Sequence, residues 1–241
     1  MVSKNQLENI LFLDIESVPQ FPAYEHIPED FKKFWDKKSS YISKNEETPS
    51  ELYHKAGIYA EFGKIICIST GFLYLKENER FFRIKSYFGD DEKQFFPAFI
   101  DMLIQLTEKR NISLCAHNGK EFDFPYLARR ILINGYKLPG ILNVAGKKPW
   151  EVNFLDTLEL WKFGDYKHYT SLDLLTRLFN IPTPKNDMDG SMVAKVFYEE
   201  NNLERIVKYC ERDVLAVVQL LLKYMGEEII PENHVEVVKP G

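Results

Sequence analysis

The sequence predicts an α/β fold, a mixed β-sheet flanked by helices. Three observations carry that prediction. The apolar run Ile10-Leu11-Phe12-Leu13 reads as a buried first strand that ends in charge at Asp14. Two further β-rich runs follow, joined by a short polar link that suits an antiparallel hairpin. Strands and helically periodic segments then alternate, and helices finish the chain.

The first strand covers roughly residues 9–15. A long connection, 17–63, comes next, rich in Pro, Lys, Glu and aromatics such as Phe21, Tyr24, Phe34, Trp35 and Tyr53. Connections of that length are usually lids or disordered segments, and the aromatics argue against simple disorder. Short helices fit 29–38 and 50–60. Two readings stand for the rings: they pack the insertion onto the body, which is the preferred one, or they form a flap that stacks on bases.

Residues 64–75 and 80–88 are the hairpin strands, the second alternating as an edge strand does. Asp90 or Asp91 can cap a helix over about 92–109, with Pro97 confined to its first turn. A short strand, 112–117, ends at Asn118-Gly119. A helix then runs from about Phe122 to Asn134, with Gly135 as its C-terminal cap. After a Gly/Pro/Lys loop at 136–150, a strand spans 152–156. Helical segments cover 157–163, 171–178, 191–200 and 203–225. Residues 226–241 lack periodicity and read as a loose tail. The expected organisation is one domain over 1–226, carrying 17–63 as an insertion or flap, followed by a tail at 227–241.

The chain has 241 residues, 45% of them hydrophobic and 14% aromatic, enough for a sizeable core. Its formal net charge of −5 excludes a protein that coats nucleic acid through a broad basic face. An enzyme that engages one strand end is still allowed, because metal ions can bring positive charge to a phosphate. Cys67, Cys115 and Cys210 are odd in number, far apart and set in apolar runs, so buried free thiols are expected. No signal peptide or membrane span is evident, which makes a cytoplasmic location the default expectation.

Chemistry concentrates in three motifs. Asp14 and Glu16 are two apart at the end of the first strand and so project to one face. Like charges that close favour an intervening cation, and oxygen ligands suit Mg²⁺ or Mn²⁺. Taken alone, the pair reads more readily as a strand ending in a polar turn with two solvated acids. The second motif, Asn118-Gly119-Lys120-Glu121-Phe122-Asp123, places an acid in the first turn of a helix, where the helix dipole favours it even without function. The third, Tyr209-Cys210-Glu211-Arg212-Asp213, puts Tyr209 and Asp213 one turn apart on one helix face, an arrangement that a simple surface Tyr–Asp pair would also give.

The three motifs in this order resemble the DEDD exonuclease superfamily, tyrosine branch, with its RNase H-like fold. The likeness is strongest to the 3′–5′ proofreading exonuclease domain of family B DNA polymerases, and more narrowly to the stand-alone predicted exonucleases related to it. It covers about residues 8–225, matches 17–63 poorly, and includes no polymerase palm or fingers. The resemblance implies a metal-dependent 3′–5′ exonuclease acting on single-stranded nucleic acid 3′ ends, DNA favoured. Asp14, Glu16, Asp123 and Asp213 would hold two Mg²⁺ or Mn²⁺ ions, with Asp14 bridging. Tyr209 would orient the attacking water, and a phenol of pKa about 10 is a poor base near neutrality.

Asn118, Phe122 and Lys185 are the expected substrate contacts: Asn118 touching the strand or bracing its loop, Phe122 packing below the site or wedging against a terminal base, Lys185 meeting a phosphate. Asp156-Thr157 reads as a helix cap rather than a metal ligand, and His168, Tyr169 and Ser171 as a phosphate contact or a cap. Between 124 and 185 there are nine Lys/Arg against five Asp/Glu, a local balance of +4 that would suit a basic lip for a phosphate backbone. An RNA 3′-end trimmer uses the same acids and stays open, as do a non-catalytic binding module on the same fold and a nucleotide phosphohydrolase.

Overall fold

The computed structural model describes residues 4–165, 169–182 and 188–238. Among them, six strands form one sheet: β1 (Ile10–Pro19), β2 (Gly63–Lys76), β3 (Glu79–Phe88), β4 (Ser113–Ala116), β5 (Phe154–Asp156) and β6 (Val235–Val238). Their order across the sheet is β5-β4-β1-β2-β3-β6. β1, β2 and β3 are antiparallel neighbours, whereas β4, β5 and β6 join by parallel pairing. The helices are α1 (Glu29–Ile42), α2 (Phe96–Lys109), α3 (Asp123–Ile133), α4 (Thr157–Lys162), α5 (Leu172–Leu178), α6 (Val193–Tyr198) and α7 (Leu203–Tyr224). This is the mixed, helix-flanked sheet that the sequence predicts. None of these helices is long and apolar enough to cross a membrane.

Alternation along β1 decides where the chemistry sits. Leu11, Leu13 and Ile15 join a core with Phe96 and Phe99 of α2 and Phe124 and Leu127 of α3. Ile10 and Phe12 point the other way, into a second core with Val214, Val217 and Leu221 of α7. Asp14 and Glu16 continue that second face, so the apolar packing beneath α7 gives way to carboxylates toward the C-terminal end of β1. The register of β1 against β2 shifts between Glu16 and Ser17, a bulge just past the second acid.

α7 is clamped onto the sheet by more than apolar contact. Ser69 of β2 and Ser86 of β3 exchange a hydroxyl hydrogen bond of 2.9 Å, and Ser86 donates to Glu211 Oε1 at 2.7 Å. That contact fixes the rotation of the helix at the turn carrying Tyr209, Cys210 and Asp213.

The insertion is packed onto the body, which favours the first of its two readings. Trp35 is fully buried with Ile27, Leu52, Tyr53 and Ala56, and its indole Nε1 donates to the Pro49 carbonyl at 2.7 Å. Tyr53 is buried beside it, whereas Phe34 and Tyr41 stay exposed. Two hydrogen bonds from α3 tie the segment down: Tyr126 hydroxyl to Gly57 O and Arg130 Nη1 to Ala60 O. Helix α1 extends beyond the predicted 29–38, and 50–60 forms a 3₁₀ stretch over Glu51–Ile58 rather than an α-helix.

The loose tail expected over 226–241 is corrected by the structure. Gln219 and Ile230 exchange a pair of hydrogen bonds, Nε2 to O at 2.7 Å and N to Oε1 at 2.8 Å, and Ile230 is buried in the α7 core. The segment then adds β6 alongside β3. Four residues carry too little alternation to announce a strand, and the partner that orders them lies about 150 positions upstream.

Candidate active site

The site forms where β4 and β5 end beside β1, which itself runs on to Pro19 against β2, a position at which connections part and a crevice opens. β4 pairs with β1 only as far as Phe12. Beyond that point the Ile15 amide faces the end of β4, and Asp123 Oδ1 accepts from it at 3.1 Å. The acid in the first turn of α3 is thereby pulled back to the strand that carries the other two.

The turn that delivers Asp123 is built for that purpose. Asn118 adopts a left-handed φ of 62°, which Asn tolerates better than most residues. At Gly119 a Cβ would collide with Ala116 and Phe124, so only glycine fits. Asp156, buried at the end of β5, accepts from the amides of Asn118 (2.9 Å), Lys120 (3.1 Å) and Leu158 (2.9 Å). It is the cap that the sequence suggests, and it also braces the 118–123 loop.

From the other side, α7 presents Tyr209, Cys210 and Asp213. The Tyr209 phenol donates to Asp213. The Cys210 thiol lies 3.3 Å from Asp14 Oδ2. Asp14, Tyr209 and Asp213 line one cleft of about 630 Å³, within the range typical of ligand sites. The structure thus brings together all five of Asp14, Glu16, Asp123, Tyr209 and Asp213, drawn from β1, α3 and α7.

The electrostatics of this cluster are unfavourable as they stand. Burial holds Asp14 well above the usual carboxylate range, and Asp123 and Asp213 add repulsion. Glu16 is raised in the same way, by burial and then by Asp14 and Asp213. Asp123 is pushed up to about 7 by burial, partly offset by the Ile15 amide. Asp213 rises to about 6 for the same reason, against the opposing effect of the Tyr209 hydrogen bond and the Arg212 charge. The Tyr209 phenol is driven far up by burial and by the acids around it, so it stays protonated and acts as a donor. Four crowded carboxylates that offer only oxygen atoms form a donor set suited to hard divalent cations. They fit Mg²⁺ or Mn²⁺ on their chemistry.

The remaining expected contacts are less uniform. Phe122 packs against Tyr126 with ring centroids 5.4 Å apart and sits on the α2–α3 core. Asn118 serves the loop through its backbone. Lys185 and His168 lie outside the described residues. Ser171 caps α5 by accepting from the Leu174 amide. The basic-lip expectation loses Arg130, which is buried against Glu92 and the Ala60 carbonyl.

Three residues in or beside the cleft have no role assigned from the sequence. His117 is held by Thr157 Oγ1 at 2.9 Å and the Thr170 carbonyl at 3.0 Å, and burial keeps its pKa low and the ring neutral. Its ring meets Tyr169 edge-on at 6.1 Å. Arg212 lines the same cleft with its Nε buried and unpartnered, its guanidinium 5.8 Å from the Tyr209 ring centre. A charged residue inside the Tyr209–Asp213 turn is the signal by which Arg212 was readable. Cys210 reads as part of the apolar stripe, and its polar contact with Asp14 depends on the long-range pairing of α7 with β1.

A family described as "Predicted 3'-5' exonuclease related to the exonuclease domain of PolB" matches residues 58–236 of the chain. A DNA polymerase of Pyrococcus horikoshii is 27% identical over 139 residues, covering 52% of this chain and 11% of that protein. A DNA polymerase of Thermococcus gorgonarius is 25% identical over 202 residues, covering 75% of this chain and 24% of that protein. The chain therefore spans less than a quarter of the length of these relatives. Among solved structures, the family B DNA polymerase of Pyrobaculum calidifontis superposes on 90% of this chain and 24% of its own, with a TM-score of 0.51 and 14% identity, a likeness of fold.

Proposed function

The chain belongs to the family of predicted 3′–5′ exonucleases related to the exonuclease domain of PolB, and from that premise we propose that it removes nucleotides from the 3′ ends of single-stranded DNA by hydrolysis of phosphodiester bonds. One observation carries the reading: Asp14, Glu16, Asp123 and Asp213, from three separate elements, converge in one cluster in which burial and the neighbouring acids raise their pKa values.

Asp14, Glu16 and Asp213 would hold one divalent cation, and Asp14 with Asp123 a second. When bound, Mg²⁺ or Mn²⁺ supplies Lewis acidity toward the phosphate and water, and charge neutralisation for the entering and leaving oxygens. The protein's part is placement. The Ile15 amide fixes one Asp123 oxygen, and the Asp156-braced loop fixes its backbone. Tyr209 remains a neutral donor, so its role is to orient water and Asp213 rather than to remove a proton. Arg212 offers a donor toward a phosphate in the cleft, and the exposed Tyr169 ring beside His117 offers a face for a terminal base. Lys185 and Asn118 are proposed as further strand contacts.

DNA is preferred over RNA because the relatives are named DNA polymerases. The test uses 5′-labelled single-stranded DNA and RNA oligomers with Mg²⁺ or Mn²⁺, with EDTA and Asp14→Ala as controls. The expected result is a descending ladder on DNA that both controls abolish. A ladder on RNA alone would move the assignment to 3′-end RNA trimming. Metal-independent retention of the strand without products would make the chain a binding module.

A further inference from the structure

Cys210 takes no part in the proposed hydrolysis, yet its buried thiol lies against Asp14. Its Sγ is 3.3 Å from Asp14 Oδ2 and 3.4 Å from the Asp14 carbonyl. One donor atom from each of Asp14, Glu16 and Cys210 lies within 4.8 Å of the others. Behind Cys210 stands a second thiol. Cys67 pairs with Glu16 across β1 and β2 and packs with Cys210 and Val207 in a buried cluster. All three cysteines of the chain are free, and Cys115 belongs to a different cluster.

A hard cation gains nothing from sulfur, whereas Zn²⁺ and Cd²⁺ bind thiolate and carboxylate together and settle for a small coordination number. We propose that Asp14, Glu16 and Cys210 form a binding site for one thiophilic divalent cation of the Zn²⁺–Cd²⁺ class, with Cys67 packed behind the ligating sulfur. On binding, the Cys210 S–H bond breaks, a sulfur–metal bond forms, and the proton passes to solvent with no change of oxidation state. The site shares Asp14 and Glu16 with the proposed Mg²⁺ or Mn²⁺ site, so one ion excludes the other. The inhibitory consequence rests on the exonuclease reading; the binding itself does not.

The experiment is a titration of the metal-free full chain with Cd²⁺, followed by sulfur-to-metal charge-transfer absorption in the ultraviolet. The expected result is one Cd²⁺ per chain with a charge-transfer band, lost in Cys210→Ser and unchanged in Cys115→Ser. Cys67→Ala should weaken binding by about 10–100-fold while the band persists, the scale on which groups supporting a ligand from behind matter. Far-UV circular dichroism confirms that each variant is folded. Should Cys210→Ser fail to fold, the ¹¹³Cd NMR shift of the wild-type complex distinguishes mixed sulfur–oxygen from all-oxygen ligation. No band on the wild type, a band of full strength in Cys210→Ser, or an all-oxygen shift overturns the site. Absence of the band on the wild type with the Mg²⁺-dependent ladder intact defeats this inference alone. A band without any ladder defeats the exonuclease reading and leaves the site standing.

Discussion

Two regions of this molecule bury carboxylates, and they treat them in opposite ways. Glu92 sits almost fully enclosed between the sheet, the insertion and α3. It accepts from Arg130 Nε at 2.9 Å, Asn134 Nδ2 at 2.7 Å and the Ile65 amide at 2.8 Å. Its charge is matched and its lone pairs are occupied. The cluster on β1 gathers four acids, Glu16 and Asp123 buried and Asp14 and Asp213 half-buried, with few donors among the described residues, the Ile15 amide, the Cys210 thiol and the Tyr209 phenol chief among them. The first region is closed on its own and ties parts of the fold together. The second is left in need of positive charge from outside, which is how a protein prepares a cation site at a cost to its own stability.

That contrast is sharpest in substitutions. Asp14→Ala should lower 3′-end shortening by about 10²–10³-fold or more, the scale on which a group that stabilises developing charge matters, measured as single-turnover rates on labelled DNA. Asp14→Asn should at the same time raise the melting temperature of the metal-free chain near pH 8, since it removes a repelled buried charge. Glu92→Ala should do the reverse. Breaking its pair with Arg130 strands a buried cation and costs about 3–5 kcal/mol by urea unfolding, while activity per folded molecule is kept. If Asp14→Asn destabilises as Glu92→Ala does, the two regions are alike and the contrast fails.

The pH dependence follows from the directions of the shifts. The acids of the cluster have folded pKa values raised above their unfolded values, Asp123 to about 7 and Asp213 to about 6. Between about pH 4 and pH 7 the folded metal-free chain therefore holds more protons than the unfolded chain, and stability must fall as pH rises through that window. It should level off above the folded pKa values. Thermal melts in EDTA across pH 5–8 check this, and added Mn²⁺ should recover the loss at the upper end. The smallest effect expected is that of Tyr209→Phe. The ring is kept and the donor to Asp213 is lost, so water placement should suffer by roughly 10–100-fold in rate with little change in metal affinity.

How much of this was legible beforehand depends on the range of the contact involved. Asp14 and Glu16 share a face by strand alternation, and Tyr209 and Asp213 by helical spacing, so both pairs are local facts that the sequence states. That Asp123 joins them follows from the order of the motifs, but the Ile15 amide that seats it does not, because it depends on where β4 stops pairing with β1. The contact of Cys210 with Asp14 spans 196 positions and looks like one more apolar helix residue. Arg130 counted toward a basic lip until its buried partner Glu92 came into view. β6 was missed for the same reason as the Gln219–Ile230 pair: four residues and one side-chain amide acquire meaning once α7 is packed on the sheet.

The most direct test of the account is a calorimetric titration of metal-free protein with Mn²⁺ at pH 7 in two buffers of different ionisation enthalpy. The account predicts two ions per chain bound with net proton release, and binding sharply weakened in both Asp14→Asn and Asp213→Asn. Absence of binding, or binding that ignores both substitutions and releases no protons, would contradict it.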